Sequence, residues 1–459
     1  MPIIGSVVMP HPPIVIEAIG KAETKKAHKT VKAMHEACRF IARLKPDTII
    51  LSSPHSQGYQ DYIQVFGSGK AKGNFAQFGN ANLVLDVRYD EESMAMLEKA
   101  FNEADFPAGQ ANKKTTIDHG VSVPLVFLNE YYTDYQLIQV SLSNLPLSEH
   151  YRLGKLVQQA LDGSPKRTVW LASGDLSHRL KDDGPYGFHK MGPVFDEKVV
   201  QALQKPCLGD LLSIDVDLAD AAAECGLRSF VMMAGALDQK ALETTFLSYE
   251  GPFGVGYAVA YYNVVGEDVR CDPLKAYHED ELAKLDEKRK NESALVKIAR
   301  QSVEHYLKEG KKLVLSDSVI KEYQEPRAVF VSIKQHGQLR GCIGTLEPVR
   351  DHLAEEVLEN ALSAAFKDPR FNPVGKHELD TLSYSVDVLM PSEPIETLNG
   401  HDVKRYGLIA SSKKRQGVLL PDLAGIDTAQ QQLEIVLQKA GIHPDDDYQL
   451  FRFLVKRYV

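Results

Sequence analysis

Five residues of ligand or proton-transfer type stand in short, distinctive contexts: His11 in "MPHPP", His55 in "SSPHS", His119 in "TIDHG", His178 in "SGDLSH" and Glu224 in "AAAECG". A neutral imidazole binds metal ions, and its ordinary pKa lets it carry a proton near neutral pH. Two histidines and one carboxylate form the facial triad of non-haem iron(II) sites, which leaves coordination positions open for substrate and oxygen. Prolines 10, 12 and 13 fix φ and remove backbone donors, so His11 sits in a stiff loop. A lone histidine beside prolines is ordinarily a solvated side chain; here the proline–histidine pair recurs at Pro54-His55. Spacing alone does not single out Glu224 among the 62 Asp and Glu residues.

Those side chains need elements that bring them together. The apolar run 3–8 stops at Met9-Pro10, and the run 48–52 stops just before Pro54-His55, so both histidines follow short buried strands. Residues 24–44 predict an amphipathic helix, with Val31, Met34, Cys38 and Ile41 at helical spacing. Further strands are predicted over 135–141, 168–172, 244–248 and 256–262, and His178 follows the 168–172 strand. Buried strands separated by helices predict an α/β sheet covered on both faces. Open sheets of that kind build their sites outside the carboxyl ends of adjacent strands.

The chain of 459 residues is too long for one ordinary domain, and its 44% hydrophobic content supports real cores. The charged segment 266–291, with "EDELAKLDEKRKNE", predicts a solvated helix or linker between a domain at 1–265 and a second at 292–459. The second half predicts a helix at 293–307, two strands in "RAVFVSIKQHGQLRGCIGTL" turning at 335–338, strands in "LSYSVDVLM" and "QGVLLP", and a helix in "AQQQLEIVLQKAG", an α+β mixture. With 53 basic against 62 acidic residues the net charge is −9. There is no dense Lys/Arg block, the "KKRQ" segment at 413 being too short, so neither nucleic acid nor a membrane surface is expected as a partner. An assembly of identical chains is compatible with this composition. The five cysteines (Cys38, Cys207, Cys225, Cys271, Cys342) form no CxxC pair and are odd in number. We therefore expect neither a disulfide framework nor a structural zinc site. With no secretory leader pattern and no membrane-length apolar run, a cytoplasmic location is expected.

"PHPP", "SPH", "DHGVSVPL" and "SGDLSH", in this order, resemble the LigB-type class III extradiol dioxygenases over the first domain. The resemblance implies that His11, His55 and Glu224 are iron ligands, that His178 is the acid/base histidine and that His119 is a second pocket histidine. The Memo family is similar in architecture and places a cysteine near the third ligand position, and Cys225 adjoins Glu224 here. Asp175 either orients a neighbouring imidazole or caps its loop; His189, in "YGFHKMGP", either touches substrate or is a loop residue. The implied cofactor is iron(II), with zinc or copper as alternatives. The implied activity is extradiol cleavage of a small catechol-type aromatic, the alternative being an oxygen-independent hydrolytic or redox step.

"QLRGCIGTL", with "AFKDPRFNPV", "SVDVLM" and "QGVLLP", resembles the AMMECR domain. The fusion is similar to proteins of the AmmeMemoRadiSam system, which implies a radical-SAM enzyme as partner and, as a further alternative, an adaptor with a structural metal. Arg340 and Cys342 of the motif are the expected site residues there. Arg340 has the fork to grip an anion, whereas Cys342 lacks an evident base and is not expected to act as a nucleophile.

Overall fold

Val7 and Met9 of the first strand enter one hydrophobic cluster and Val8 the other; Ile49 and Leu51 divide from Ile50, and Val169 and Leu171 from Trp170 and Ala172, in the same way. Alternate side chains of a strand point to opposite faces, so these strands are covered on both sides. The structure, a computed structural model, describes residues 2–112, 115–335, 337–412, 415–423 and 425–459. Lys413 and Lys414 of the short basic segment and His336 of the expected turn lie outside the described residues.

The large sheet runs in the order Ala108–Gly109, Ile63–Phe66, Gln136–Ser141, Thr48–Ser53, Thr168–Ser173, Ile3–Met9, Tyr257–Glu267, Lys240–Glu250. The four strands from Gln136–Ser141 to Ile3–Met9 are mutually parallel, and an antiparallel hairpin closes one side. One face is covered by helices His28–Leu44 and His119–Asn129, the other by Glu91–Glu103, Leu147–Leu161, Met191–Leu203 and Leu227–Ala236. The helix expected over 24–44 is split: a 3-10 stretch at Lys21–Ala27 precedes the α-helix, which buries Ala33, Met34, Ala37, Cys38 and Ile41. Sequence patterning missed Ile63–Phe66 and the hairpin Lys70–Phe75/Asn80–Arg88, the latter because its exposed, Lys- and Asn-bearing face dilutes the apolar signal.

The chain divides into two compact units between His278 and Glu279, within the charged segment. That segment starts inside the first unit: Tyr257–Glu267 is sheet, and Leu274 and Tyr277, on the helix Pro273–Asn291, pack against the first core. Cys207 and Cys271 form a single disulfide, whereas the odd cysteine count and lack of CxxC pairs predict no disulfide framework. The pairing is invisible to short spacing rules because the hairpin brings together residues 64 apart. Cys38, Cys225 and Cys342 remain free.

In the second unit an antiparallel sheet runs Gln338–Gly344, Val329–Gln335, Leu382–Leu389, Gln449–Tyr458, Tyr406–Ser412, Arg415–Leu419, with Glu393–Ile395 also on Gln449–Tyr458. Helices Ala294–Glu309, capped by Ser293, and Leu353–Phe366 share one core, and Ala429–Ala440 forms another against Tyr406–Ser412 and Arg415–Leu419. This is the expected α+β architecture. Among the described residues no helix is long and apolar enough to cross a membrane.

Candidate metal centre

His11 follows directly on the carboxyl end of the Ile3–Met9 strand and is 1% exposed. Its backbone amide donates to Asp175 Oδ1 at 2.9 Å, which ties the proline loop to the loop after Thr168–Ser173. Its Nδ1 lies 2.9 Å from Ser173 Oγ. That hydroxyl has one proton and gives it to the Gly120 carbonyl at 2.5 Å, which can only accept. Nδ1–H of His11 is therefore the donor to Ser173, and Nε2 carries the lone pair.

Nε2 of His11 faces Nε2 of His55 at 2.9 Å. His55 stacks on His119, ring centroids 4.1 Å apart, and His119 in turn meets Phe78 edge-on. Asp118, between them in sequence, is committed to support: Oδ1 accepts from Ser53 Oγ and the Val121 amide, Oδ2 from Ser56 Oγ. It thereby caps the helix His119–Asn129 and fixes His119 at its first position. Burial lowers the pKa of His11, His55 and His119, the last to about 4, with the neighbouring imidazoles adding to the effect. All three are neutral at pH 7, the form in which imidazole binds a metal.

The third side of the cluster comes from the segment before the helix Leu227–Ala236. Ala223 takes the left-handed conformation, φ 52°, and turns the chain. Gly174 and Gly226 then approach so closely that a Cβ on Gly174 would lie 2.2 Å from Gly226 Cα. This contact brings Cys225 to Asp175, whose amide donates to Cys225 Sγ at 3.3 Å, and sets the sulfur 3.7 Å from His11 Nε2. Glu224 faces elsewhere: its Oε2 accepts from the Leu227 amide at 2.6 Å and caps the helix. The structure thus puts Cys225, rather than the expected Glu224, beside the two histidines. Burial raises the Glu224 carboxyl to about 7, and burial followed by the Asp175 and Glu224 charges raises the Cys225 thiol.

His178 donates from Nδ1 to the Ala223 carbonyl at 2.5 Å, since that oxygen can only accept, and its Nε2 keeps the lone pair. Among the described residues two groups have ligand atoms within 4.8 Å of one another: His11, His55 and Cys225, and Asp175, His178 and Cys225. Cys225 joins them. Asp175 is buried, and burial raises its pKa to about 6. His189 is engaged locally: its amide donates to the Arg179 carbonyl and its Nδ1 accepts from the Met191 amide. The donor set of two facing imidazole nitrogens and a sulfur fits a divalent metal ion, the softer ones best. A cavity of about 590 Å³ opens beside the cluster, lined by Cys225, Glu224, Arg228, Pro54, Ser56 and Tyr59 among others. Ser173 and Arg228 gave no signal in the sequence beyond their types, whereas Cys225 was legible as the neighbour of Glu224.

The second-domain motif is arranged differently. Arg340 forks onto Glu378 through Nε and Nη2 at 2.7 and 3.1 Å, and its Nη1 donates to the Asn372 carbonyl. Cys342 Sγ accepts from Ser332 Oγ, and the Cys342 amide donates to Asp368, which Arg370 grips in turn. A Cβ at Gly341 would meet the Ala364 carbonyl oxygen at 2.2 Å, so this glycine lets the strand lie against the helix Leu353–Phe366.

Residues 5–260 match the family described as the catalytic LigB subunit of aromatic ring-opening dioxygenase, and residues 296–458 match AMMECR1. Protein CA_C1420 of Clostridium acetobutylicum is 38% identical over 466 residues, covering 99% of this chain and 98% of its own. A protein of Thermotoga maritima is 45% identical over 170 residues, 36% of this chain and 98% of the relative. In the crystal structure of the uncharacterized protein PH0010 from Pyrococcus horikoshii, 34% identity extends over 36% of this chain and 88% of that one, with a TM-score of 0.33.

Proposed function

This chain belongs to the LigB family, with an AMMECR1 domain following, and on that premise we propose that its first domain is a metal-dependent enzyme acting on a small catechol-type aromatic. The observation that carries the proposal is the convergence of the His11 and His55 Nε2 atoms with the sulfur of Cys225, which also lines an open cavity. His11, His55 and Cys225 would hold the ion. When bound, the ion supplies Lewis acidity toward the substrate's oxygens and, as iron(II), an electron path to dioxygen.

The other residues act on the substrate and on the ligands. His178 has its Nδ1 proton committed to Ala223, so Nε2 is the atom that accepts a substrate hydroxyl proton and later returns it. His119 stacks on one face of His55 and holds that ring in its orientation. Asp175 positions the His11 loop and the Cys225 sulfur at once.

A second reading rests on Cys225. A thiolate donor suits zinc or copper better than iron(II), and with those ions the same pocket would run an oxygen-independent hydrolytic or redox step. Metal analysis of anaerobically purified full-length protein, followed by oxygen uptake with a panel of catechols, separates the two. Iron with catechol-dependent oxygen uptake supports ring cleavage. Zinc or copper without uptake supports the second reading, and protein that binds none of these ions overturns both.

A further inference from the structure

Arg228 is the one lining residue of the cavity beside Cys225 that carries a positive charge. It lies three residues beyond Cys225, in the first turn of the helix Leu227–Ala236. Its Nε is buried and has no hydrogen-bond partner. Glu224, four residues earlier in the loop before the helix, lines the same cavity. Its Oε2 accepts from the Leu227 amide, and no ion pair joins the two among the described residues. A buried guanidinium donor without an acceptor is costly, and a planar fork is suited to an oxyanion.

We propose that Arg228 is a substrate-binding residue that receives a carboxylate or phosphate group on the molecule occupying this cavity, its other end lying toward Cys225. The site therefore takes an anionic substrate in preference to a neutral one of the same shape. This deepens the metal-enzyme proposal and rests on it for the word substrate, while the binding itself needs no metal.

The test is calorimetric binding to the full-length protein, with and without added zinc. The probe pairs are 3,4-dihydroxybenzoate against catechol and phenyl phosphate against phenol. We expect the wild type to favour the anionic member of at least one pair by tenfold or more, and the pair that discriminates identifies the oxyanion. Arg228→Gln should bring that ratio to about one, and Arg228→Lys should retain part of it, with circular dichroism showing both variants folded. His11→Ala should lose metal yet keep the anion preference, which separates this inference from the metal assignment. Wild-type protein that does not discriminate in either pair, or a folded Arg228→Gln that discriminates as the wild type does, overturns the inference.

Discussion

Arg228 with Cys225 in the first domain and Arg340 with Cys342 in the second are the same two residue types, three and two positions apart, in opposite conditions. Around Arg340 every guanidinium nitrogen has a protein acceptor, and Arg370 closes the neighbouring carboxylate in the same way. Around Cys225 the His11 and His55 Nε2 atoms bond to each other beside the Cys225 sulfur, and the buried Nε of Arg228 has no partner. A polar cluster that satisfies itself holds a fold together, whereas one that crowds ligand-type atoms together and leaves a buried donor over is prepared for something else to satisfy it. The "LRGCIG" stretch is the more specific motif in the sequence, yet its specificity is accounted for by packing. In the structure the Arg340 fork expected to grip an anion is held by Glu378.

The widest separation between the two regions should be seen in metal content. His11→Ala and Cys225→Ala should each lose most bound metal by elemental analysis, while Glu224→Gln should keep it; retention in Cys225→Ala with loss in Glu224→Gln would reverse the ligand assignment. Next in size, His178→Ala should keep the metal but lower kcat by ~10²–10⁴-fold on a turned-over substrate, the usual contribution of a general acid–base. An unchanged kcat removes His178 from proton transfer.

In the second domain the effects should be on stability alone. Gly341→Ala, which drives a methyl group into the Ala364 carbonyl, should cost about 3 kcal/mol in denaturant unfolding. Arg340→Ala, which strands the Glu378 carboxylate, should cost about 2 kcal/mol. Cys342→Ser should cost under ~1 kcal/mol, because Ser332 can bond a hydroxyl as it does the sulfur. An Arg340→Ala variant of native stability that has lost a ligand would erase the contrast between the regions.

Of comparable size is a pH slope in the first domain. Burial pushes the Asp196 carboxyl up to about 7 from 3.8, against the hydrogen bonds it accepts from Tyr249 and the Ser177 amide. Between those values the folded protein holds a proton that the unfolded chain releases. Stability conferred by this group therefore falls as pH rises from about 4 to about 7 and is level above. Asp196→Asn should flatten the slope between pH 5 and 7 by on the order of 1 kcal/mol.

The paired-face sheet and the placement of His11 and His55 were readable because proline–histidine punctuates buried strands, and the resemblance to LigB-type enzymes ordered the rest. Which of the neighbours Glu224 and Cys225 faces the histidines was not readable, since they differ by one position and a backbone turn decides between them. That turn depends on Ala223 at positive φ, a conformation an alanine adopts only when its surroundings impose it. Here the Ala223 carbonyl accepts a hydrogen bond from His178 Nδ1, and the Gly174–Gly226 contact lies three residues on. Neither leaves a mark in composition or periodicity. The Cys207–Cys271 bond was hidden for a related reason, being set by how the hairpin returns.

The three candidate donors come from loops far apart along the chain, His11 lying 44 residues from His55 and 214 from Cys225. An ion shared among them would act as a staple on chain topology: the unfolded polypeptide cannot reproduce the constellation, so occupancy adds directly to folding free energy. With free metal at a hundred times its dissociation constant that linkage amounts to about 2.7 kcal/mol. The melting temperature of the first domain would then rise with the concentration of the ion it was selected to hold, and the protein's thermal stability would report which metal that is.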